Sequence, residues 1–324
     1  MKVVIFGGTG QLGQILARTF AARGDVVVVV ARGAAPGARV VPWDGFSLGP
    51  WTTELDGADA VVNLAGRSVN CRYTGENMHA MMSSRVDSTR IVGQAIERAH
   101  RPPSVWLQMS TATIYAHRFD APNDELTGRI GGDEPGVPGY WTFSVDIAKN
   151  WERAQAEANT PGTRKLALRT SMVLSPDRGG VFDVLLGLTR KGLGGSIAGG
   201  RQYLSWIHDH DFARAVMFLL EREELRGAVN VCSPHPLPQA EFMSQLRRAW
   251  GTRLGLPATR WMVEIGAFFL RTDSELTLKS RRVVPKRLLD AGFRFEHADW
   301  PEASRDLVRR WRSGRPGAAQ NDVA

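Results

Sequence analysis

Cysteine is scarce in this chain of 324 residues, which has only Cys71 and Cys232, far apart in sequence. Two distant cysteines fit a reducing compartment and exclude a disulfide framework or a multi-cysteine metal site, so we predict no metal centre. Long apolar runs are also missing, and Met1-Lys2-Val3 leads straight into a predicted strand without a charged leader or an apolar targeting core. We therefore expect a cytoplasmic protein that has no membrane partner.

Acidic residues are fewer than basic ones, but the pattern of positive charge does not favour binding of nucleic acid. The net charge is +8, from 41 basic and 33 acidic residues. The basic clusters at Lys279–Arg282 and Arg305–Arg315 have acids interleaved and lack the regularly spaced aromatic residues that stack on bases. We interpret these clusters as solvated faces and predict no nucleic-acid partner, while a positive field also suits a polyanionic cofactor.

The chain begins with the pattern of a strand, a tight turn and a helix. The apolar run Val3–Phe6 is followed by the glycine-rich segment Gly7–Gly13 and then by apolar residues at helical spacing. Gly7 allows the turn, Gly10 allows a pyrophosphate to approach the backbone, and Gly13 allows the helix to pack closely on the strand. An ordinary glycine-rich turn is the alternative, but the flanking strand and helix favour dinucleotide binding.

The end of the second predicted strand bears on the choice of cofactor. The run Val26–Val30 leads to Ala31-Arg32-Gly33, and no carboxylate occurs between Asp25 and Asp44. A carboxylate at this position binds the ribose 2′-hydroxyl of NAD, whereas an arginine accommodates the 2′-phosphate of NADP. Arg32 therefore favours NADP over NAD, with a solvated loop arginine as the alternative.

Strands and helices alternate along the first half of the chain, which predicts an α/β fold. We expect a Rossmann-type doubly wound parallel sheet with a smaller, mostly helical C-terminal substrate lobe. Asp209 or Asp211 is predicted to cap a helix over Phe212–Leu220. The predicted division is an NADP-binding domain at 1–170, with elements from about 203–232 returning to it, a substrate lobe at 171–202 and 233–312, including a helix at 261–270, and a disordered tail at 313–324.

Several separated motifs resemble the extended short-chain dehydrogenase/reductases, the group that includes nucleotide-sugar epimerases. These motifs are the glycine turn, Asp44 after the third strand, Leu64-Ala65-Gly66 after the fourth and Ser110–Tyr115 after the fifth. Four stretches resemble an atypical branch of that group, whose members are labelled epimerase family proteins and end in a domain of unknown function. The four stretches are Asn63–Gly66, Ser84–Arg90, Leu193–His208 and Ser280–Phe295.

The resemblance implies roles for particular residues. Asp44 would contact the adenine, and Leu64, Ala65 and Gly66 would line the adenosine side. The catalytic serine or threonine of the family falls on Thr111, with Ser110 beside it among the cofactor contacts. The residues implied to hold the pyrophosphate are Gly7, Thr9, Gly10, Gln11, Leu12 and Gly13.

The chain departs from the family at the Tyr-x-x-x-Lys motif, whose tyrosine exchanges the proton and whose lysine holds the nicotinamide ribose. Lys149 matches the lysine, but Val145 stands four residues before it, where the tyrosine belongs. Either Tyr140 or His208 supplies the proton instead, or the protein binds the cofactor without chemistry. For His208 we favour a hydrogen-bonded histidine near a helix cap.

These observations predict an NADP-dependent oxidoreductase or epimerase of the extended short-chain type. Its substrate would be small and polar, a carbonyl or nucleotide-sugar-like compound, with Asn70–Tyr73 and the segment 192–200 as candidate contacts. The candidate catalytic residues are Thr111, Lys149 and Tyr140. The alternative is an NADP-binding regulatory or redox-sensing protein with little or no turnover, and in either case we expect a monomer or a homodimer.

Overall fold

A computed structural model describes residues 1–33, 38–69, 71–259 and 275–314. Its main feature is a seven-stranded sheet in which all paired strands are parallel, in the order β10-β6-β5-β4-β1-β2-β3. The strands of this sheet are β1 (Lys2–Phe6), β2 (Val26–Ala31), β3 (Arg39–Pro42), β4 (Ala60–Asn63), β5 (Val105–Thr111), β6 (Arg164–Thr170) and β10 (Gly227–Val231). The expected doubly wound parallel sheet is confirmed.

Four short strands form two small pairs outside this sheet. The strands β7 (Met172–Leu174) and β9 (Trp206–His208) run parallel, and β8 (Tyr203–Leu204) pairs antiparallel with β11 (Leu237–Pro238). The single strand predicted at 203–207 is therefore two strands in two different pairs. Because β7 begins two residues after β6 ends, the β7–β9 pair lies at the carboxyl edge of the sheet.

Helices cover the sheet and make up most of the C-terminal region. Short 3₁₀ helices at Pro50–Leu55 and Ala112–Ile114 follow strands β3 and β5. Among the described residues no helix is long and apolar enough to cross a membrane. In the described part of the chain, the α-helices are α1 (Gln11–Ala22), α2 (Gly75–Arg98), α3 (Trp141–Ala156), α4 (Val181–Arg190), α5 (Asp209–Glu221), α6 (Gln239–Trp250), α7 (Glu275–Leu278), α8 (Lys286–Asp290) and α9 (Trp300–Ser313).

The sheet is buried on both faces, as a parallel sheet must be. Alternate residues of β1 enter different apolar clusters, Val3 and Ile5 on one face and Val4 and Phe6 on the other. The first cluster contains apolar side chains of α1 and α5, and the second contains those of α2 together with Trp43 and Trp51, which pack on Phe6. This two-sided burial explains the unbroken apolar run of β2.

A third apolar cluster builds the helical C-terminal region. Helices α4, α6 and α9 share it with β7, β8 and β9. At its centre the rings of Phe242 and Trp300 stack with 3.9 Å between centroids, and the indole of Trp300 donates to the Phe242 carbonyl at 2.8 Å. These contacts fix α9 on α6.

Two details of the predicted helices differ from the structure. The predicted capping aspartates of α5 lie inside its first turn, and the cap is His208, whose Nδ1 accepts from the backbone N–H of His210 at 3.2 Å. Asp211 is engaged elsewhere, because its carboxylate accepts from two backbone N–H groups of the segment before α9. Ser313 ends α9 instead of starting a tail, whereas the predicted helix at 261–270 lies outside the described residues.

A buried ion-pair network holds α9 against the start of α5. Arg310 donates two hydrogen bonds to Asp209, at 2.8 and 2.7 Å, and a third to Asp306 at 3.2 Å. Burial opposes ionisation of both carboxyls, yet the hydrogen bonds and charge of Arg310, with the hydrogen bond from His208 to Asp306, hold the pKa of Asp209 and of Asp306 below the ordinary value. Both carboxylates are therefore stabilised as anions in the folded protein.

We expect Arg310→Met to lower the free energy of unfolding by about 3–5 kcal/mol, because it leaves a buried carboxylate unpaired. The control is Arg309→Met, since Arg309 is exposed and pairs with the same Asp306; it should cost less than about 1 kcal/mol. Denaturant titrations measure both changes, and equal losses in the two variants would contradict the role of Arg310.

The stabilisation that the ionised Asp209 and Asp306 provide depends on pH. In the wild type it is present at neutral pH and is lost as the pH falls below about 4.

Candidate functional site

The glycine-rich turn between β1 and α1 is shaped by close backbone contacts. Gly7 has φ 69°, and a Cβ there would lie 3.0 Å from the backbone of Ala65. At Gly13 a Cβ would lie 2.3 Å from the Cα of Gly8. At Gly10, in contrast, a Cβ would meet only the Gly7 carbonyl oxygen among the described residues, at 3.5 Å. Internal packing therefore requires Gly7 and Gly13, whereas Gly10 faces open space.

The start of α1 has the features of an anion site. Gly10 is the N-cap and provides no side-chain cap, and the first turn contains no acidic residue. The side-chain Nε2 of Gln11 is buried and has no hydrogen-bond partner within the described chain, while Gln14 donates to the Thr9 carbonyl at 2.8 Å. Unpaired N–H groups and the positive end of the helix dipole fit a phosphate group. The residues present thus fit the pyrophosphate of a dinucleotide.

The segment after β4 lies directly beside this turn. The N–H of Leu64 bonds to the Phe6 carbonyl at 3.0 Å, and the N–H of Ala65 bonds to Asn63 Oδ1 at 3.0 Å. Asn63 is itself fixed by Gln108 of β5 at 3.0 Å. The structure therefore brings Leu64, Ala65 and the exposed Gly66 together with the glycine turn, at the carboxyl edge of the sheet.

Arg32 and Asp44 follow the neighbouring strands β2 and β3 at the same edge, and both are exposed. The Asp44 carboxylate accepts from the backbone N–H groups of Phe46 and Ser47, at 2.8 and 2.9 Å, and from the Ser47 hydroxyl. These bonds, the one from the Ser47 side chain above all, hold the pKa of Asp44 below its ordinary value. Asp44 is therefore an anion that shapes the 44–47 turn.

Ser110, at the end of β5, is held by a half-buried ion pair. Its hydroxyl donates to Glu152 of α3 at 2.6 Å, and Glu152 accepts two hydrogen bonds from Arg169 of β6, at 2.9 and 2.8 Å. Burial opposes the charge on Arg169, but Glu152 outweighs it and raises the pKa of the guanidinium. Ser110 thus fixes α3 on the sheet.

Thr111, the next residue, is half-buried, and its hydroxyl is not engaged in the way that the Ser110 hydroxyl is. Its Oγ1 accepts from the backbone N–H of Thr113 at 3.2 Å. Within the described residues its hydroxyl hydrogen has no acceptor, so it can donate to a bound molecule.

The helix α3 presents the broken motif. Lys149 Nζ donates to the Gly131 carbonyl at 3.1 Å and so ties the long loop before α3 to the helix. Val145, at the position of the missing tyrosine, is buried. Tyr140 is the N-cap of α3 and is 41% exposed.

Sequence reasoning missed a polar cluster next to this helix, which we name the Thr113 cluster. Lys279 donates to the Thr113 carbonyl at 3.0 Å and pairs with Glu275 at 3.5 Å. Arg281 Nε donates to Thr113 Oγ1 at 3.2 Å. Its further members are Ser144, whose hydroxyl donates to Glu275, and Tyr73, whose hydroxyl lies 3.3 Å from Oγ of Ser144.

The Thr113 cluster overturns the expectation that the basic residues 279–282 form a solvated face. Lys279 and Glu275 have exposed fractions of only 1% and 0%. Burial lowers the pKa of Lys279, and the nearby Glu275 opposes this effect. The i,i+4 spacing of Glu275 and Lys279 could have indicated that the two residues form an ion pair. The spacing alone cannot show whether that pair is buried or exposed.

His208 is buried and fully engaged. Besides capping α5, it contacts Asp306 through Nε2 at 3.1 Å and stacks on His297 with 3.8 Å between ring centroids. Nitrogen and oxygen atoms of His208, His297 and Asp306 lie within 4.8 Å of one another. Stacked rings direct their lone pairs side by side instead of toward one ion, and Arg310 lies 3.4 Å from His208 Nε2. The arrangement is a hydrogen-bonded cap, as favoured from the sequence.

Two known families match the chain. Residues 3–232 match the NAD dependent epimerase/dehydratase family, and residues 258–307 match a domain of unknown function, DUF1731. The bovine epimerase family protein SDR39U1 is 32% identical over 316 residues, which are 95% of this chain and 100% of the relative. The resemblance inferred from the sequence motifs is thereby confirmed.

Solved structures agree with this result. The crystal structure of human epimerase family protein SDR39U1 (isoform 2) with NADPH superimposes with a TM-score of 0.83 at 29% identity, covering 95% of this chain and 99% of that one. UDP-N-acetylglucosamine 4-epimerase from Bacillus cereus has a TM-score of 0.70 at 18% identity, covering 96% and 99%. At the latter identity the likeness concerns the fold alone.

The glycine contacts predict different effects of alanine at two positions of the turn. We expect Gly13→Ala to lower the free energy of unfolding by about 1–3 kcal/mol, because its Cβ would overlap the backbone of Gly8. Gly10→Ala should change it by less than about 0.5 kcal/mol, because Gly10 has φ −72° and open space around it. Urea titrations of both variants provide the measurement. A stable Gly13→Ala protein would show that the turn packs differently.

Proposed function

Because the chain belongs to the NAD dependent epimerase/dehydratase family, we propose that it is an NADP-dependent oxidoreductase or epimerase of the extended short-chain type. Its substrate would be a small polar molecule that is a carbonyl or nucleotide-sugar-like compound. One observation carries this proposal most strongly. Gly7 and Gly13 are required by packing, but Gly10 between them faces open space at the uncapped start of α1.

The residues around the turn suit NADP. The pyrophosphate would lie over Gly7, Thr9 and Gly10 and the first turn of α1, with Leu64, Ala65 and Gly66 on the adenosine side and Asp44 toward the adenine. Arg32 is exposed at the end of β2, where it can bind a 2′-phosphate. The human SDR39U1 protein was crystallised with NADPH, which supports the same choice. We propose NADP as the cofactor and NAD as a weaker ligand.

The residues at the end of β5 and on α3 would position the substrate. When bound, the nicotinamide supplies or accepts a hydride. Thr111 can donate its hydroxyl hydrogen to a substrate oxygen, and Lys149 provides a fixed positive charge on the adjoining helix. A threonine hydroxyl is a very poor acid, so a further proton donor is required, and Tyr140 at the start of α3 is one candidate.

A regulatory or redox-sensing protein that binds NADP with little or no turnover is the second candidate. Val145 favours it, since a buried valine stands where the proton-exchanging tyrosine belongs. The helical C-terminal region beside the carboxyl edge favours the enzyme, because that region can enclose a substrate.

The proposed cofactor choice predicts about a ten- to hundred-fold preference for NADPH over NADH, from one charge-assisted contact to the 2′-phosphate. Arg32→Ala should remove the preference, and Gly10→Val should weaken both nucleotides. Fluorescence titration measures the affinities. Arg23→Ala is the matched control, because Arg23 lies at the opposite edge of the sheet, paired with Asp25. Equal affinities of the wild type for the two nucleotides would refute the role of Arg32.

The proposed chemistry predicts slow NADPH oxidation across a panel of carbonyl and nucleotide-sugar substrates, because loss of a general acid typically costs roughly 10²–10⁴-fold in rate. Thr111→Ala and Lys149→Met should lower kcat further, and Tyr140→Phe should do so only if that loop supplies the proton. Brisk turnover that survives all three changes would place the reaction elsewhere. Tight NADPH binding without any turnover would instead favour the regulatory protein.

A further inference from the structure

Another phenol contacts α3 one residue before the position of the missing tyrosine. The chain has four tyrosines, Tyr73, Tyr115, Tyr140 and Tyr203. Tyr115 is buried with its hydroxyl bound to Arg169 and Asn230, and burial raises its pKa. Tyr73 comes from the segment before α2, yet its hydroxyl lies 3.3 Å from Oγ of Ser144, the residue next to Val145.

The position of Tyr73 is fixed by its neighbours. Its half-buried ring packs edge-on against Phe143, with 5.8 Å between centroids. Ser144 in turn donates to a carboxylate oxygen of Glu275, which is buried. The phenol thus lies on the same turn of α3 as the position that lost its tyrosine.

A continuous path of polar contacts joins this phenol to the end of β5. From Ser144 it passes to Glu275, then to Lys279 at 3.5 Å, and from Lys279 to the Thr113 carbonyl at 3.0 Å. Thr113 is two residues beyond Thr111 and also donates its N–H to the Thr111 hydroxyl oxygen. Tyr73 and Thr111 therefore belong to one connected network.

Positive charge near Tyr73 favours loss of its proton. Both Arg85 and Arg281 interact electrostatically with Tyr73. Arg85 is buried, and burial lowers its pKa to about 10, so it stays cationic at neutral pH. Glu275, beyond Ser144, is the facing group of opposite sign, and Lys279 is paired with it. Two cations beside the phenol stabilise the phenolate that proton donation creates.

We propose that the Tyr73 hydroxyl exchanges the proton of the substrate oxygen at this site, with Ser144 and Glu275 as positioning residues. This inference rests on the proposed function. In the direction of reduction, hydride addition to the carbonyl carbon moves the π electron pair to the oxygen. The oxygen then takes the Tyr73 proton to give an alcohol, and water returns a proton to the phenolate. The reverse sequence applies to oxidation.

The kinetic test compares Tyr73→Phe with Tyr203→Phe, a control in β8 outside the proposed machinery. We expect Tyr73→Phe to lower kcat for NADPH-dependent carbonyl reduction by roughly 10²–10⁴-fold and to remove one limb of the pH profile, with NADPH affinity unchanged. Ser144→Ala should move that limb of the pH profile to a different pH and lower kcat by a smaller factor. A wild type that turns over while Tyr73→Phe keeps its kcat would overturn the assignment and leave the proposed function intact.

A second readout needs no turnover. In protein labelled with ¹³Cζ-tyrosine, Tyr73→Phe assigns the Tyr73 signal, which can be followed through an alkaline titration. We expect this phenol to lose its proton at lower pH than a free tyrosine side chain, whose pKa is about 10. Arg281→Met should move the titration to higher pH. A signal that titrates like free tyrosine and ignores Arg281→Met overturns the inference, whether or not the protein turns over any substrate.

Discussion

The close approach of two backbone segments at the carboxyl edge of the sheet governs the rest of this structure. Gly7 leaves β1 with a left-handed backbone against Ala65, and Gly13 brings α1 onto Gly8. Neither contact leaves room for a side chain. Together they hold the start of α1 uncapped and open, beside the segments that follow β2 and β4. The candidate cofactor site is therefore a consequence of packing, with Gly10 as the position that packing leaves free.

Buried and half-buried ion pairs hold the parts of the site that the glycine contacts do not. Glu152 and Arg169, together with Ser110, fix α3 on the sheet. Lys279, paired with Glu275, binds the segment after α7 to Thr113. Arg310 fixes α9 on the start of α5 through Asp209. Some of the basic residues of the chain therefore lie inside the fold, each paired with a carboxylate. Removing one member of such a pair is costly, because the remaining charge stays buried.

The elements with strong local patterns could be predicted from the sequence. The apolar strands, the glycine turn and the helix after it need only local patterns and packing rules, and the motif order indicated the family. The start of α5 was predicted wrongly, because a capping aspartate and an aspartate that binds a distant backbone are identical in sequence. The burial of Lys279 and the contact of Tyr73 with Ser144 depend on the tertiary fold, since 71 residues separate the latter two along the chain.

We propose that a dinucleotide lies over Gly10 with its reactive end toward Thr111 and the Thr113 cluster. A crystal structure of the wild-type chain grown with NADPH is the decisive experiment. We expect the pyrophosphate at the start of α1, the 2′-phosphate at Arg32, and the nicotinamide between Thr111 and Tyr73. A nucleotide bound away from the glycine turn, or a nicotinamide facing away from β5, would refute this placement.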